Sequence, residues 1–398
     1  MYEKGGNFIE REFRQLLSRH NNPMKPVLIN DLVHDEDNPN LEKIIQEQFP
    51  DKIREELNLM AKWLCENRND DFITVYANIR SEVLVKSLQG LHDQQKSNSG
   101  SYQQGAFSSP AQPIRKNLMM PIRDATPQKR TPKSIQQSLK KKLQDVIPGE
   151  MLGTKLSQQN NELKDDLSIG EREIVSYLTN VSALYKLMQI ELRIMNGIIP
   201  MEYQKPIFSR LVYPALEIVV SEGEGLANRV KKCVTRQDFS SALNLFPILR
   251  HQASMRHNFD LLFDGCTMEV QTKFQGLVIT LQVTIGKALE EFVDFIKSDV
   301  HTKVPKDGTV HELTSNVMIF IVQLLGYLDI LSRVITVSDL QSLENSNDKN
   351  RLAYAQYITR VLSALGLTLQ NKSEAYTDPH LKAIFKLNNL HYILKASF

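Results

Sequence analysis

Cysteine is scarce in this 398-residue chain: Cys65, Cys233 and Cys266 are far apart and odd in number. Three such thiols exclude a disulfide framework and point to a reducing compartment. The sequence opens without a basic stretch leading into an apolar one, so a secretory leader is not expected. Its longest apolar run, Val317–Leu331, is broken by Gln323 and Asp329 and falls short of the ~20 residues that cross a bilayer, so a buried core helix is expected there. With neither leader nor span, a cytosolic protein is expected, and any membrane contact should be peripheral. No segment alternates apolar and polar residues with period two, which removes the usual strand signal. What is there, 41% hydrophobic and 24% charged residues, is the composition of a soluble folded protein.

Charge is unevenly spread. Residues 115–142 hold nine basic side chains (Arg115, Lys116, Arg123, Lys129, Arg130, Lys133, Lys140, Lys141 and Lys142) against the single acid Asp124, a local charge of +8. The whole chain sums to +2, so the remainder carries −6. A cluster of this kind attracts anionic lipid, each well-placed cation contributing roughly 1 kcal/mol. Nucleic acid would attract it too, although no aromatic residue is interleaved for base stacking. A solvated linker with no dedicated partner is the plain alternative. Ser109, Thr126 and Thr131 each precede proline and are candidate phosphorylation sites; a phosphate there would subtract nearly two charges from the cluster.

Two helical blocks flank this insert. In the first, Phe8, Phe13, Leu16 and Leu17 lie on one short amphipathic helix that stops before Pro23. Ile53, Leu57, Met60, Ala61 and Leu64 share a face of the next, and Phe72 to Leu88 form a third, with Asp70 or Asp71 as its cap. From Gln89 to about Ile169 the composition turns to Gln, Ser, Asn, Pro and Lys, and disorder is expected because too little apolar surface can be buried to offset ordering. In the second block, helices are predicted over 171–195, from Asp238 through Leu249 with a break at Pro247, over 274–296, over 351–369 and from Asp378-Pro379 onward. Pro200 and Pro206 are expected to end the first of these, and Gly223-Glu-Gly225 to be an interhelix turn. The fold class is therefore all-α: an elongated rod of stacked, cullin-repeat-like helix pairs. Its expected divisions are an N-terminal bundle (1–90), a disordered basic linker (91–168), a middle bundle (169–300) and a further bundle (301–398), truncated at its end.

Nothing assembles into a catalytic constellation. His311-Glu312 could open a zinc-protease helix, but the second His is missing, since position 315 is Ser. His251, His257 and Cys266 match no zinc spacing and lack a fourth ligand. There is no Gly-x-Ser-x-Gly elbow, and no Gly-Lys-Ser/Thr follows Gly223. A non-enzymatic protein is expected, with no cofactor and no metal.

The most informative stretch is Pro305–Asn316. Asp307-Gly308 signals a turn, and Thr309 and Glu312 stand at capping-box spacing ahead of the apolar run. The same stretch resembles a signature of the seventy-kilodalton exocyst subunit family. Three other segments are similar in order: Asp71-Phe72, Val75-Tyr76, Ile79-Arg80-Ser81, Leu84, Ser87-Leu88 and Gly90-Leu91; then Asp238-Phe239-Ser240 with Phe246–His251; and finally Asp378-Pro379, Ala383–Phe385, Asn388-Asn389 and Tyr392–Lys395. The resemblance implies a rod of helical bundles without catalytic activity, a subunit of the octameric exocyst that tethers secretory vesicles to the plasma membrane before fusion. It implies as partners the other exocyst subunits, Rho-family small GTPases and membranes containing phosphatidylinositol bisphosphate, with no nucleic acid. The family begins with a coiled coil and continues into a basic C-terminal domain that supplies lipid contacts; this chain is expected to be the portion between them, its membrane affinity correspondingly weaker. The alternative is a helical scaffold whose insert binds nucleic acid or the nuclear import machinery.

Overall fold

The computed structural model describes residues 2–34, 41–67, 71–100, 169–299, 302–335 and 345–396. Among them every regular element is helical. The first block contains α1 (Tyr2–Arg19), α2 (Pro26–His34), α3 (Leu41–Gln48), α4 (Asp51–Asn67) and α5 (Asp71–Gly100). The second contains α6 (Glu171–Asn196), α7 (Met201–Val234), α8 (Ser240–Leu243), α9 (Phe246–Phe263), α10 (Met268–Ser298), α11 (Glu312–Leu325), a 3-10 turn (Leu328–Arg333), α12 (Ser346–Ser373) and α13 (Pro379–Ala396).

Packing follows chain order. α1 lies on α4, and α2 and α3 lie on α6; α6 packs on α7, α7 on α10, α10 on α12, and α12 on α13. The longest helices, α7 and α10, share the broadest face. One hydrophobic core threads all of these layers, from Phe13 in α1 to Phe385 in α13. Met1–Ser99 and Leu167–Phe398 belong to one compact unit. The central helices α6, α7 and α10 bury residues on several sides because each serves more than one neighbour.

α5 differs from the expectation of disorder after Gln89: it stays helical through Gly100. Its tail is polar, but it is the antiparallel partner of α6. Arg80 pairs with Glu191, His92 meets Asn180 and Gln95 meets Ser176, so contacts descend one helix as they climb the other. Leu91, in that stretch, is fully buried. Tertiary packing supplies what composition alone does not. The remainder of the basic stretch, 101–168, lies outside the described residues.

Three further expectations are corrected. Pro206 does not end a helix; with Pro214 it lies inside α7. Each removes a backbone donor, but the buried Ile207, Phe208, Leu211, Val212, Ala215 and Leu216 carry the helix across the gaps. Gly223-Glu-Gly225 is not a turn but mid-α7. A Cβ at 223 would collide with Tyr177 Oη and come within 3.0 Å of Leu277 Cδ1, so this glycine permits close helix approach. The run Val317–Leu331 is not one helix: α11 stops at Leu325, and a 3-10 turn follows. Pro247 stands in the first turn of α9, after the break from α8.

Candidate functional site

The nine basic residues Arg115 to Lys142 and the candidate phosphorylation sites Ser109, Thr126 and Thr131 lie outside the described residues. The described chain instead shows where the family-like segments go. They meet one another, or the helices beside them, at interhelix joints.

The start of α11 is the clearest case, and it corrects the capping box. Asp307 Oδ1 accepts both the Thr309 N–H (3.2 Å) and its hydroxyl (2.8 Å), so the amide that Glu312 would have reached is already taken. The cap is His311, whose Nδ1 accepts from the Leu313 N–H at 3.1 Å. Glu312 is the first residue of the helix, where a negative charge suits the helix dipole. His311 is fully buried. Burial, and then the cation of Lys372, pushes its ring below the usual histidine range. With Nδ1 accepting, the neutral ring carries its proton on Nε2.

Asn389 of α13 completes this joint. Its Oδ1 accepts from His311 N–H (3.0 Å) and from the Thr314 hydroxyl (2.6 Å), while its amide donates to Phe385 O (2.8 Å). Asn388 donates to Gly308 O at 2.9 Å. Gly308 has φ +72°, and a Cβ there would press on Leu381 O (3.2 Å) and Phe385 N (3.3 Å); both conditions select glycine. Beneath it, Lys372 Nζ lies 3.3 Å from Asp299 Oδ2 and donates to Thr302 O (2.8 Å). At the start of α13, Asp378 Oδ1 accepts from the His380 N–H (2.8 Å), and Pro379 opens the helix.

A second joint holds Phe246 stacked on Tyr327 (4.8 Å between centroids). There Arg250 donates to Asp329 (Nε to Oδ2, 2.7 Å) and to Gly326 O (3.0 Å). A third holds Arg80 of α5, wholly buried. Its Nε donates to Glu191 Oε2 at 3.0 Å and a second nitrogen to Oε1, with the guanidinium 5.0 Å from the centre of the Phe49 ring. Burial works against the Arg80 cation, but the Glu191 carboxylate outweighs it and holds the charge. Ser87, on the same helix, accepts the Met24 N–H at 2.9 Å.

One cleft of about 400 Å³ opens beside α5, α6 and α7, lined by residues including His92, Asp93, Asn180 and Glu222. His92 Nδ1 lies 3.8 Å from Glu222 Oε1 and 3.4 Å from the Asn180 amide. Burial pushes the Glu222 carboxyl up, against the pull of His92. These groups form a polar joint between the three helices. Elsewhere, His251 Nε2 is 3.0 Å from the Ser182 hydroxyl, and burial depresses its ring. Among the described residues no group of three or more His, Cys, Asp or Glu side chains is placed to hold a metal ion. No described helix is long and apolar enough to cross a membrane.

A family model for the C-terminal part of the Exo70 protein of the exocyst complex matches residues 176–397, from α6 to the end of α13. The chain belongs to the Exo70 exocyst subunit family. Human Exocyst complex component 7 is 32% identical over 450 residues, covering 100% of this chain and 61% of its own length. Its Drosophila melanogaster counterpart is 31% identical over 422 residues, covering 100% and 59%. The chain thus spans about three fifths of the length of the curated relatives it matches. A solved Exo70p structure, reported in "The structures of exocyst subunit Exo70p and the Exo84p C-terminal domains reveal a common motif", matches 99% of this chain and 62% of its own at a TM-score of 0.55. At 12% identity that likeness is one of fold, and it is an Exo70 helical fold.

The residues that sequence reasoning missed are His311, Glu191 and Asn389. Asn389 lay inside a family-like segment, but its partners are 75 and 78 positions away, a distance that local periodicity does not reach. A carboxylate such as Glu191, placed where α6 is otherwise apolar, was the available signal for a buried arginine partner.

Proposed function

We propose that this chain works without catalysis, as a helical scaffold segment of the exocyst that helps to tether secretory vesicles to the plasma membrane before fusion. The observation that carries this reading is the family match over 176–397 on a fold whose family-like residues serve interhelix joints. Its partners are the other exocyst subunits, docked along the exposed sides of the stacked helices. Rho-family GTPases and phosphatidylinositol bisphosphate membranes are its further partners at the cytoplasmic face of sites of exocytosis. The cluster Arg115, Lys116, Arg123, Lys129, Arg130, Lys133, Lys140, Lys141 and Lys142 supplies an electrostatic lipid contact, and phosphates at Ser109, Thr126 and Thr131 weaken it. Membership of an exocyst family favours lipid over the nucleic-acid alternative.

Affinity purification of the tagged chain from cytosol, read by mass spectrometry, tests the assembly reading. Exocyst subunits should be recovered; recovery of none, either with this chain or with one extended to its relatives' length, would overturn it. Flotation with anionic and neutral vesicles tests the cluster. Salt-sensitive flotation should disappear when the nine basic residues become glutamine, and unchanged flotation would remove them from the lipid contact.

A further inference from the structure

A groove between α9 and α10 is not used by any of the joints above. Its floor is Phe259, Phe263, Phe274 and Val278, and its volume is about 240 Å³. The rings brace one another, Phe259 being 4.4 Å from Phe274 and 5.7 Å from Phe263 between centroids, so the floor is set before anything binds. That space takes one or two large apolar side chains and is small for a cofactor. On α10 the apolar surface continues outward through Ile279 (60% exposed) and Val283 (47% exposed). These two, with Phe274 and Val278, lie on about two and a half turns of helix, the footprint of one helix laid alongside.

The groove's rim adds a charge preference. Arg256 has Asp260 for a partner one turn on, at 3.6 Å. Arg333, reaching in from the 3-10 turn, has no carboxylate within ion-pair distance among the described residues. Among the described residues the lining is therefore net positive by one charge, two arginines against one aspartate. A membrane surface would call for a protruding apolar face and several lysines; this site is concave, aromatic and weakly cationic. We propose that it is a docking groove for an amphipathic partner helix whose apolar edge seats on Val278, Ile279 and Val283, above the buried rings of Phe259 and Phe274, and whose flanks carry Asp or Glu opposite Arg333. The groove belongs to this chain's own geometry and stands whether or not the chain enters the exocyst.

The test uses the purified full chain and fluorescence anisotropy with three labelled synthetic peptides of about 18 residues, a length that forms a helix of several turns. One carries Leu and Phe at i, i+3, i+4 and i+7 with Glu flanks, one the same positions with Lys flanks, and one the first composition scrambled. The Glu-flanked peptide should bind best and should slow amide exchange in α9 and α10. Ile279→Asp changes an exposed residue, so the fold should melt as before, and it should weaken binding about tenfold. Arg333→Glu should weaken the Glu-flanked peptide about fivefold and strengthen the Lys-flanked one. Equal binding of all three peptides, or binding indifferent to both substitutions, would overturn the proposal. So would capture of anionic vesicles, with the same dependence on Ile279 and Arg333, in place of any peptide. Neither failure touches recovery of exocyst subunits from cytosol.

Discussion

His311 shows how one side chain can make a helix start sensitive to acid. Its Nδ1 is the acceptor that satisfies the Leu313 N–H, and protonation would put a hydrogen on that nitrogen and turn acceptor into donor. Because burial depresses its pKa, the unfolded chain takes up this proton first, and stability falls as pH drops below about 6.5. His251, also depressed by burial, acts in the same direction. Glu222, whose carboxyl is raised, acts in the opposite one, holding its proton in the fold at pH values where the unfolded chain has released it. Urea unfolding at pH 7.5 and 5.5 should show the wild type losing stability in acid, and His311→Asn, which keeps a capping oxygen, should lose less. An equal loss in both proteins would remove His311 from the effect. At neutral pH, His311→Ala should cost about 1 kcal/mol or more as a lost cap, while Thr309→Ala should stay within about 0.5 kcal/mol as an exposed change. The reverse order would restore the capping box. The spacing of Thr309 and Glu312 pointed to the right helix and the wrong cap, because the Asp307-Gly308 turn takes up Thr309 locally and the true cap is fixed from α13.

Helices were legible wherever one face repeats every three or four residues: α4 and α6 begin and end near their expected bounds, while α10 and α12 are where expected but begin five or six residues earlier. The short helices α2 and α3, of nine and eight residues, give too few turns to show such a repeat, and the polar end of α5 shows none. Their order comes from α6, against which α2 and α3 lie and with which α5 runs antiparallel. The joint between α5 and α6 rests on Arg80 and Glu191, a bidentate pair taken out of water. Two buried charges gain little over an apolar pair of like size, but removing one strands the other. Arg80→Ala should therefore destabilise by about 3–5 kcal/mol, while Arg80→Met combined with Glu191→Leu should recover most of that loss. Chemical denaturation of both variants decides the matter. A double variant as unstable as the single one would mean that the pair contributes more than its mutual neutralisation, for instance through the Phe49 contact.

At the scale of the whole molecule, the antiparallel register of α5 and α6 has a consequence for the insert. Gln95 meets Ser176, so Gly100 and Glu171 stand near the same end of the antiparallel pair, and residues 101–168 join them in sequence. The nine basic residues thus lie in the sequence between two helices that Arg80, His92 and Gln95 hold together. Among the described residues one core threads every layer of the stack. Fold and charge are then separable: the stack should form without the insert, and the insert should be replaceable without moving a helix. Replacing 101–168 with about six Gly and Ser residues should leave the Tm unchanged or raise it, shorter closure being worth up to about 2 kcal/mol on loop-length grounds. The same variant should retain the far-ultraviolet helical signal per helical residue and lose salt-sensitive vesicle flotation. A Tm lowered by several degrees would show that part of 101–168 packs against the stack and that the basic insert is a structural member of it.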